Sequence, residues 1–275
     1  MILRGDKLAQ KINRKTAQQI KKLKNKPGLA VILVGQNPSS LIYVNIKEKI
    51  AKKLGIKFYK FHFSSQISEE KIIGTIKKLN QNPKIQGIVV QLPLPQKFNT
   101  SKILQSITPE KDMDGFHKKN IQKLFANQKT IISPFLQSIL FLLKASKNPL
   151  KNKSIAIIAK NKTFAVSLKT LLVRNGVLKK EINWIKKISP FTQKKIKKAD
   201  IVIIALGRPK ALKKDFIKQK AIIIDGGINR INNKIVGDAD FQKLKKHVSC
   251  ITPVPGGIGP LTVAMLFKNL AKTKL

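Results

Sequence analysis

Four short segments of this 275-residue chain carry residue types at spacings that could do chemistry. Tyr43 and Lys47 stand four apart, so on a helix they share one face. An aromatic plate beside an amine suits a flat heterocycle that undergoes proton transfer, because partial burial lowers a lysine pKa toward neutrality. An amphipathic helix with a snorkelling lysine has the same spacing, and on this stretch alone that plainer reading is the stronger. The second segment, Gln91-Leu92-Pro93-Leu94-Pro95, directly follows an apolar run. Open parallel sheets bind ligands outside the carboxyl ends of their strands, which is where Gln91 falls; a simple strand-to-turn boundary fits about as well.

The third segment, residues 108–116 (TPEKDMDGF), sets Asp112 and Asp114 one residue apart in a loop. As metal ligands they lack a third and a fourth partner, so no metal is expected. The alternative is that one acid caps a helix while the other accepts hydrogen bonds from the donor edge of a ligand. The fourth, residues 252–262 (TPVPGGIGPLT), crowds Pro253, Pro255, Gly256, Gly257, Gly259 and Pro260 ahead of a helix expected to start near Leu261. Such a loop specifies one backbone path closely, and glycine lets a ligand approach the chain. The helix start behind it favours an anion or a carbonyl oxygen.

The elements that must position these segments alternate between strand and helix. Residues 29–34 read as a strand, and a helix capped by Ser39 or Ser40 runs to about Leu54, stopped by Gly55. A strand at 56–62, a helix at 69–80 and a strand at 85–91 follow. Later come a helix at 133–147, a strand at 154–159, a helix at 168–175 ending at Gly176, and strands at 182–185, 201–206 and 221–225. Continuous apolar strands separated by helices indicate parallel βαβ units with both sheet faces covered, hence an α/β fold.

Composition narrows the class. A 42 % hydrophobic content supplies a core, and the length fits one large or two ordinary domains. No apolar run reaches the roughly 18 residues of a membrane helix, and the start of the chain lacks the apolar stretch of a secretory signal. A soluble cytoplasmic protein is the expectation. Cys250 is the single cysteine, so no internal disulfide is possible, and His62, His117 and His247 are too scattered for a His-rich metal cluster. Cys250 is expected to be a small buried residue.

The formal net charge is +43, from 56 Lys and Arg against 13 Asp and Glu. Such a balance first suggests nucleic acid. The excess is almost all lysine, however, and base readout and bidentate phosphate contact favour arginine, present only at positions 4, 14, 174, 208 and 230. Aromatic residues do not interleave with the lysines as stacking platforms would. A solvated, lysine-biased surface is the better reading, and no specific nucleic acid is expected. The field would still attract a small anionic ligand.

Taken in order, these segments resemble the bifunctional methylenetetrahydrofolate dehydrogenase/methenyltetrahydrofolate cyclohydrolase family. The resemblance runs from Ile2-Leu3-Arg4-Gly5 through Tyr-x-x-x-Lys, QLPLP and PEKDMDGF. It continues through ADIVIIALGRP (199–209), AIIIDGGINR (221–230), IVGDADF (235–241) and ITPVPGGIGPLTVAML (251–266). It implies oxidation of 5,10-methylenetetrahydrofolate with NADP (NAD being possible), then hydrolysis of the methenyl product to 10-formyltetrahydrofolate. These are steps of one-carbon metabolism that feed purine biosynthesis. By resemblance Lys47 is the proton carrier, Gln91 tunes it, Asp114 binds the pterin, Tyr43 stacks on the folate, and Pro255, Gly256 and Gly257 close over it.

The resemblance also implies two domains: residues 1–131, completed by 255–275, binding tetrahydrofolate derivatives, and a Rossmann-like NAD(P)-binding domain over 132–254. Folate would lie in an interdomain cleft, and the chain would form a homodimer. The cofactor side departs from the family pattern. Ala159, Lys160 and Asn161 stand where a Gly-Arg-Ser turn is usual, and Ala165 replaces a second glycine. The added methyl groups would obstruct phosphate approach, or strain a turn that needs positive φ. Lys160 keeps the charge of the arginine but not its planar fork. The family's Pro-Cys-Thr-Pro segment and its His-Ser pair after the second strand of this domain are absent too. Gly207, Gly227 and Ile228, on the far side of the nicotinamide, remain. Two enzyme readings stay open: a rebuilt dinucleotide pocket, or a retained cyclohydrolase with hydride transfer weak or lost. A basic nucleic-acid-binding protein on the same scaffold is a third.

Overall fold

A computed structural model describes residues 1–177, 181–232 and 234–273. The chain divides into two compact units. An amino-terminal unit holds residues 10–134 and 263–275, and a central unit holds residues 1–9 and 135–262.

The first part of the chain forms α1 (Gly5–Lys21), β1 (Gly28–Val34), α2 (Pro38–Leu54), β2 (Lys57–Phe63), α3 (Glu69–Gln81), β3 (Gly87–Val90), α4 (Thr100–Gln105) and α5 (Lys118–Phe125). The strands make a parallel sheet in the order β2-β1-β3. Every residue of β1 is buried, as an apolar run with two covered faces requires. Leu29, Val31 and Leu33 pack on one face with Val44 and Ala51 of α2, while Ala30, Ile32 and Val34 pack on the other with Ile72, Ile76 and Leu79 of α3.

The helix ends follow local chemistry. Asn37 Oδ1 accepts from Ser40 N at 3.0 Å, so α2 starts at Pro38, slightly earlier than a Ser39 or Ser40 cap would place it. Gly55, in the left-handed region, ends the helix as expected. Some of the lysine excess is structural. Lys111 Nζ donates to the carbonyls of Leu79, Asn80 and Asn82 at the end of α3, and Lys26 Nζ donates to those of Ile20 and Lys21 at the end of α1. Each cation meets carbonyls that the helix leaves without intrahelical partners.

The rest of the chain forms α6 (Pro134–Ala145), β4 (Ile155–Ala159), α7 (Lys162–Arg174), β5 (Ile182–Ile185), α8 (Pro190–Lys198), β6 (Ile201–Ala205) and β7 (Ile222–Asp225). These are followed by β8 (Asn229–Ile231), β9 (Lys234–Val236), α9 (Phe241–Leu244), β10 (Cys250–Ile251) and α10 (Ile258–Lys272). Strands β8 and β9 make an antiparallel pair, and the others make a parallel sheet in the order β10-β7-β6-β4-β5. Numbered within this unit, that is the doubly wound order 2-1-3-4-5, whose direction of winding reverses between β4 and β6. Helix α7 starts at Lys162 rather than near Leu168, because Asn161 Oδ1 accepts from Phe164 N at 2.9 Å. Helix α10 starts at Ile258 rather than near Leu261, since its first turn tolerates Pro260.

The division differs from the expected 1–131, 132–254 and 255–275. Residues 1–9 and 255–262 belong to the central unit, and the junction falls after Pro134. Hydrogen bonding gives the reason: Ile2 bridges to Ile251, Leu3 N donates to Ile251 O at 2.9 Å, and Asp6 N donates to Gly256 O at 3.2 Å. Gly5 lies so close to Gly257 that any side chain there would strike its carbonyl.

Replacing Lys111 tests the capping role. Lys111→Met leaves three carbonyls without their donor and is expected to lower unfolding free energy by about 1–3 kcal/mol in urea. Lys77→Met, at an exposed position of α3, the helix that Lys111 caps, should change it by less than about 0.5 kcal/mol.

Candidate active site

In the amino-terminal unit the sheet order places β1 and β3 side by side, with β2 wound to the other side of β1. The gap outside the carboxyl ends of β1 and β3 is therefore where a ligand is expected. Gln91 follows β3 directly and is anchored there, its N–H donating to Ile32 O at 2.8 Å. The third turn of α2 carries Lys47, whose Nζ donates to Gln91 Oε1 at 2.7 Å. Gln91 Nε2 donates to Leu92 O at 2.8 Å, so the amide is fixed with its oxygen toward the amine. The peptide bond Leu92–Pro93 is cis.

Lys47 is only 8 % exposed. Burial holds its pKa below the usual lysine value, and the nearby charge of Asp114 opposes that effect. Asp114 makes no direct ion pair with the amine and acts on it through its charge. It is half-buried, and burial lifts its carboxyl to about 6, with Lys47 pulling it down and Asp112 pushing it up. The pair thus combines a weakened cation and a weakened anion. Tyr43 lies one helical turn before Lys47, half-buried, with its hydroxyl pKa raised by burial.

The two acids of the loop divide their tasks. Asp112 is buried, and its carboxylate accepts from Gly115 N at 3.1 Å, His117 N at 2.7 Å and Asn120 Nδ2 at 3.1 Å. It shapes the loop. Asp114 is left with its carboxylate facing no such set of donors. The turn after it needs glycine: Gly115 has φ +67°, and a side chain there would meet Ser133 N at 2.7 Å and Ile131 O at 2.9 Å.

In the central unit the corresponding gap lies outside the carboxyl ends of β4 and β6. The β4 side is Ala159-Lys160-Asn161, and the β6 side is the loop at 206–208 that contains Gly207. Neither Ala159 nor Lys160 has positive φ, and Ala159 and Ala165 are both 2 % exposed. The alanines are therefore accommodated inside the fold, and the strain expected from losing the glycines does not arise. Lys160, Asn161 and Lys162 are exposed around the start of α7, and nothing lies within 4 Å of where a side chain on Gly207 would project. An open helix start flanked by two lysines fits a phosphate group, so these residues fit a dinucleotide.

Gly227 is buried and Ile228 is 46 % exposed on the neighbouring loop after β7. The glycine loop lies in this unit as well, with Pro255 exposed, Gly256 half-buried at φ +97°, and Gly257 buried against Pro253. Cys250 is buried, with Asn148 Nδ2 donating toward its Sγ at 3.2 Å. His62, His117 and His247 all have local partners, namely Gly35 O, the start of α5 and Ile217 O.

Comparison with known proteins agrees with both halves of this arrangement. The family model for the tetrahydrofolate dehydrogenase/cyclohydrolase catalytic domain matches residues 3–114, and that for its NAD(P)-binding domain matches residues 135–274. The chain belongs to the tetrahydrofolate dehydrogenase/cyclohydrolase family. It is 41 % identical to the bifunctional protein FolD of Aquifex aeolicus, with 99 % of this chain and 94 % of that one covered. It superposes on the FolD crystal structure from Campylobacter jejuni with a TM-score of 0.93 at 35 % identity, covering 100 % and 98 % of the two chains. The Trypanosoma brucei enzyme, complexed with NADP and an inhibitor, gives 0.92 at 26 % identity, covering 100 % and 97 %. This chain is thus a two-domain α/β enzyme of the dehydrogenase/cyclohydrolase type.

The sequence reading missed Asp225 and Asp238, which lie buried behind the Gly207 and Gly227 loops. The only signal for Asp238 was its place in IVGDADF, and nothing in the sequence named its partners.

The perturbed carboxyl of Asp114 makes stability depend on pH with a definite sign. Its folded pKa of about 6 lies above its unfolded value, so between about pH 4 and pH 6 the folded state binds the extra proton and stability falls as pH rises. Asp114→Asn removes this liability. The variant should be more stable than the parent at pH 7, on the order of 1 kcal/mol once partial exposure is allowed for, with the difference vanishing near pH 4. Chemical denaturation at the two pH values measures this.

Proposed function

We propose that the protein oxidises 5,10-methylenetetrahydrofolate with NADP and hydrolyses the resulting methenyl cation to 10-formyltetrahydrofolate, with Lys47 moving the proton in the second step. The observation that carries this reading is the buried Lys47 amine, held at 2.7 Å by a fixed glutamine amide and lowered in pKa by its surroundings. Asp114, ionised at neutral pH, accepts hydrogen bonds from the amino-pyrimidine edge of the pterin, and Tyr43 stacks on the ring. NADP supplies the hydride acceptor when bound, with Lys160 and Asn161 on the phosphate side and Gly207, Gly227 and Ile228 on the nicotinamide side.

In the hydrolysis, water adds to the carbon between N5 and N10 of the cation. A new C–O bond forms, and the neutral Lys47 amine takes one proton from the water. The tetrahedral adduct then collapses: its C–N5 bond breaks, the Lys47 ammonium returns the proton to N5, and the remaining hydroxyl proton leaves to solvent. The formyl group stays on N10. Gln91 Oε1 holds Nζ in place through both transfers, and Pro255, Gly256 and Gly257 form the loop that covers the folate. A homodimer in the cytoplasm serving one-carbon supply to purine synthesis completes the reading. Sedimentation at micromolar concentration should give a dimer.

Lys47→Arg tests the proton transfer. Arginine keeps the positive charge but does not deprotonate, so hydrolysis of methenyltetrahydrofolate should fall at least about 100-fold. Unchanged hydrolysis would refute the role of Lys47. Reduction of NADP by the parent enzyme with saturating methylenetetrahydrofolate is followed in the same assay. Hydrolysis without any reduced cofactor would leave a cyclohydrolase alone.

A further inference from the structure

The motif IVGDADF has no part in the chemistry described above, yet its acid has an unusual environment. Asp238 is completely buried between β9 and α9. Its carboxylate accepts from three consecutive backbone amides of the loop leaving β6: Leu206 N, Gly207 N at 3.0 Å and Arg208 N at 2.8 Å. A fourth donor is Asn229 Nδ2 at 2.8 Å, from the segment after β7. Successive amides converging on one point form a concave anion site, and here an internal carboxylate fills it.

A second acid stands behind the first. Asp225, at the end of β7, accepts from Gly227 N at 2.9 Å, Asp238 N at 3.1 Å and Ala239 N at 2.8 Å. Its own N–H donates to Thr252 Oγ1 at 2.7 Å. Two glycines make room for the acids: a side chain on Gly227 would strike the Asp238 carboxylate, and one on Gly237 would strike that of Asp225. Burial and the charge of Asp238 lift the Asp225 carboxyl to about 7, against the pull of its amide donors.

Burying two like charges is costly, and among the described residues none of the direct donors to either carboxylate is a cation. What the arrangement achieves is a fixed backbone. Asp225 sets the main chain of Asp238, and Asp238 sets the loop at 206–208 on the β6 side of the gap where the winding of the sheet reverses. With its amides turned to Asp238, that loop leaves nothing within 4 Å of where a side chain on Gly207 would project.

We propose that Asp238 is a positioning residue for the dinucleotide, fixing the Gly207 loop and Asn229 in the conformation that receives the nicotinamide half. This rests on the assignment of the central unit to NADP. Asp238→Asn keeps the shape but turns one acceptor into a donor facing amide N–H groups, so the loop must shift. Binding is read directly from the fluorescence of Trp184, the chain's one tryptophan, whose Nε1 donates to Ala159 O at the β4 side of the same gap. The dissociation constant for NADP is expected to rise at least tenfold, with the KM for NADP rising in parallel. Hydrolysis of methenyltetrahydrofolate, which runs on Lys47 without the dinucleotide, should stay within twofold. A purely structural role would instead lower thermal stability and reduce both activities together, leaving NADP affinity of the folded protein intact; that result overturns the proposal.

Asn229→Ala removes one donor from Asp238 at a half-buried position and is the measurement to use where Asp238→Asn does not fold. It should weaken NADP several-fold, and unchanged affinity overturns the proposal equally. Absence of NADP binding by the parent protein would instead refute the cofactor assignment, a separate failure.

Discussion

The hydrogen bond from Lys47 to Gln91 is the constraint on which the amino-terminal unit turns. An ammonium withdrawn from water loses solvation that a single amide oxygen does not replace, so the proton is held less firmly than on a surface lysine. The bond needs two elements far apart in sequence. Helix α2 must carry Lys47 to the end of β3, and β3 must lie beside β1 with Gln91 as its first residue beyond the strand. The parallel order β2-β1-β3 supplies that adjacency. Leu92 O holds the amide the right way round, and the Asp112 loop sets Asp114 where its charge is felt without closing on the amine.

Buried charge is handled in two opposite ways. Asp112 and Asp238 are surrounded by N–H donors, and a carboxylate so satisfied makes a firm structural anchor. Lys47 and Asp114 are left short of partners, which makes their proton affinities sensitive to what binds. Anchors therefore stand behind loops, and the under-satisfied groups lie near the carboxyl end of β3. Neighbouring residues of one motif show both treatments: Asp112 is saturated and Asp114 is not, though only Met113 separates them.

Much of this could be read from the sequence because the controlling signals are local. Strand-like runs marked every strand of the two parallel sheets except the two-residue β10, and Gly55 and Gly176 marked helix ends through backbone conformation alone. The clearest omission is α1, whose segment GDKLAQKINRKTAQQIK is so polar that its buried face, Ala9, Ile12, Thr16 and Ile20, is thin. The start of α7 was placed too late because Asn161 was weighed only as a lost serine of a phosphate turn, whereas its side chain is also the helix cap. Lys47, Gln91 and Asp114 stand out in the sequence because each sits in a distinctive segment, and the structure brings the first two into a hydrogen bond. The Asp238 site does not stand out, since its donors are backbone amides, and amides carry no side-chain signature.

The same reasoning bears on the lost glycines of the dinucleotide turn. A glycine is indispensable where the chain takes positive φ or where a side chain would collide with its surroundings. At Ala159 neither holds, because the backbone is ordinary and the methyl is buried. At Gly227 and Gly237 the second condition does hold, since a carboxylate occupies the space of the missing side chain. The chain has thus changed its glycines on the β4 side, where the fold absorbs a methyl group, and kept them where they make room for the acids. On the β4 side the open start of α7 then carries its positive charge on lysine, while on the β6 side the backbone of the 206–208 loop is held from behind by Asp238.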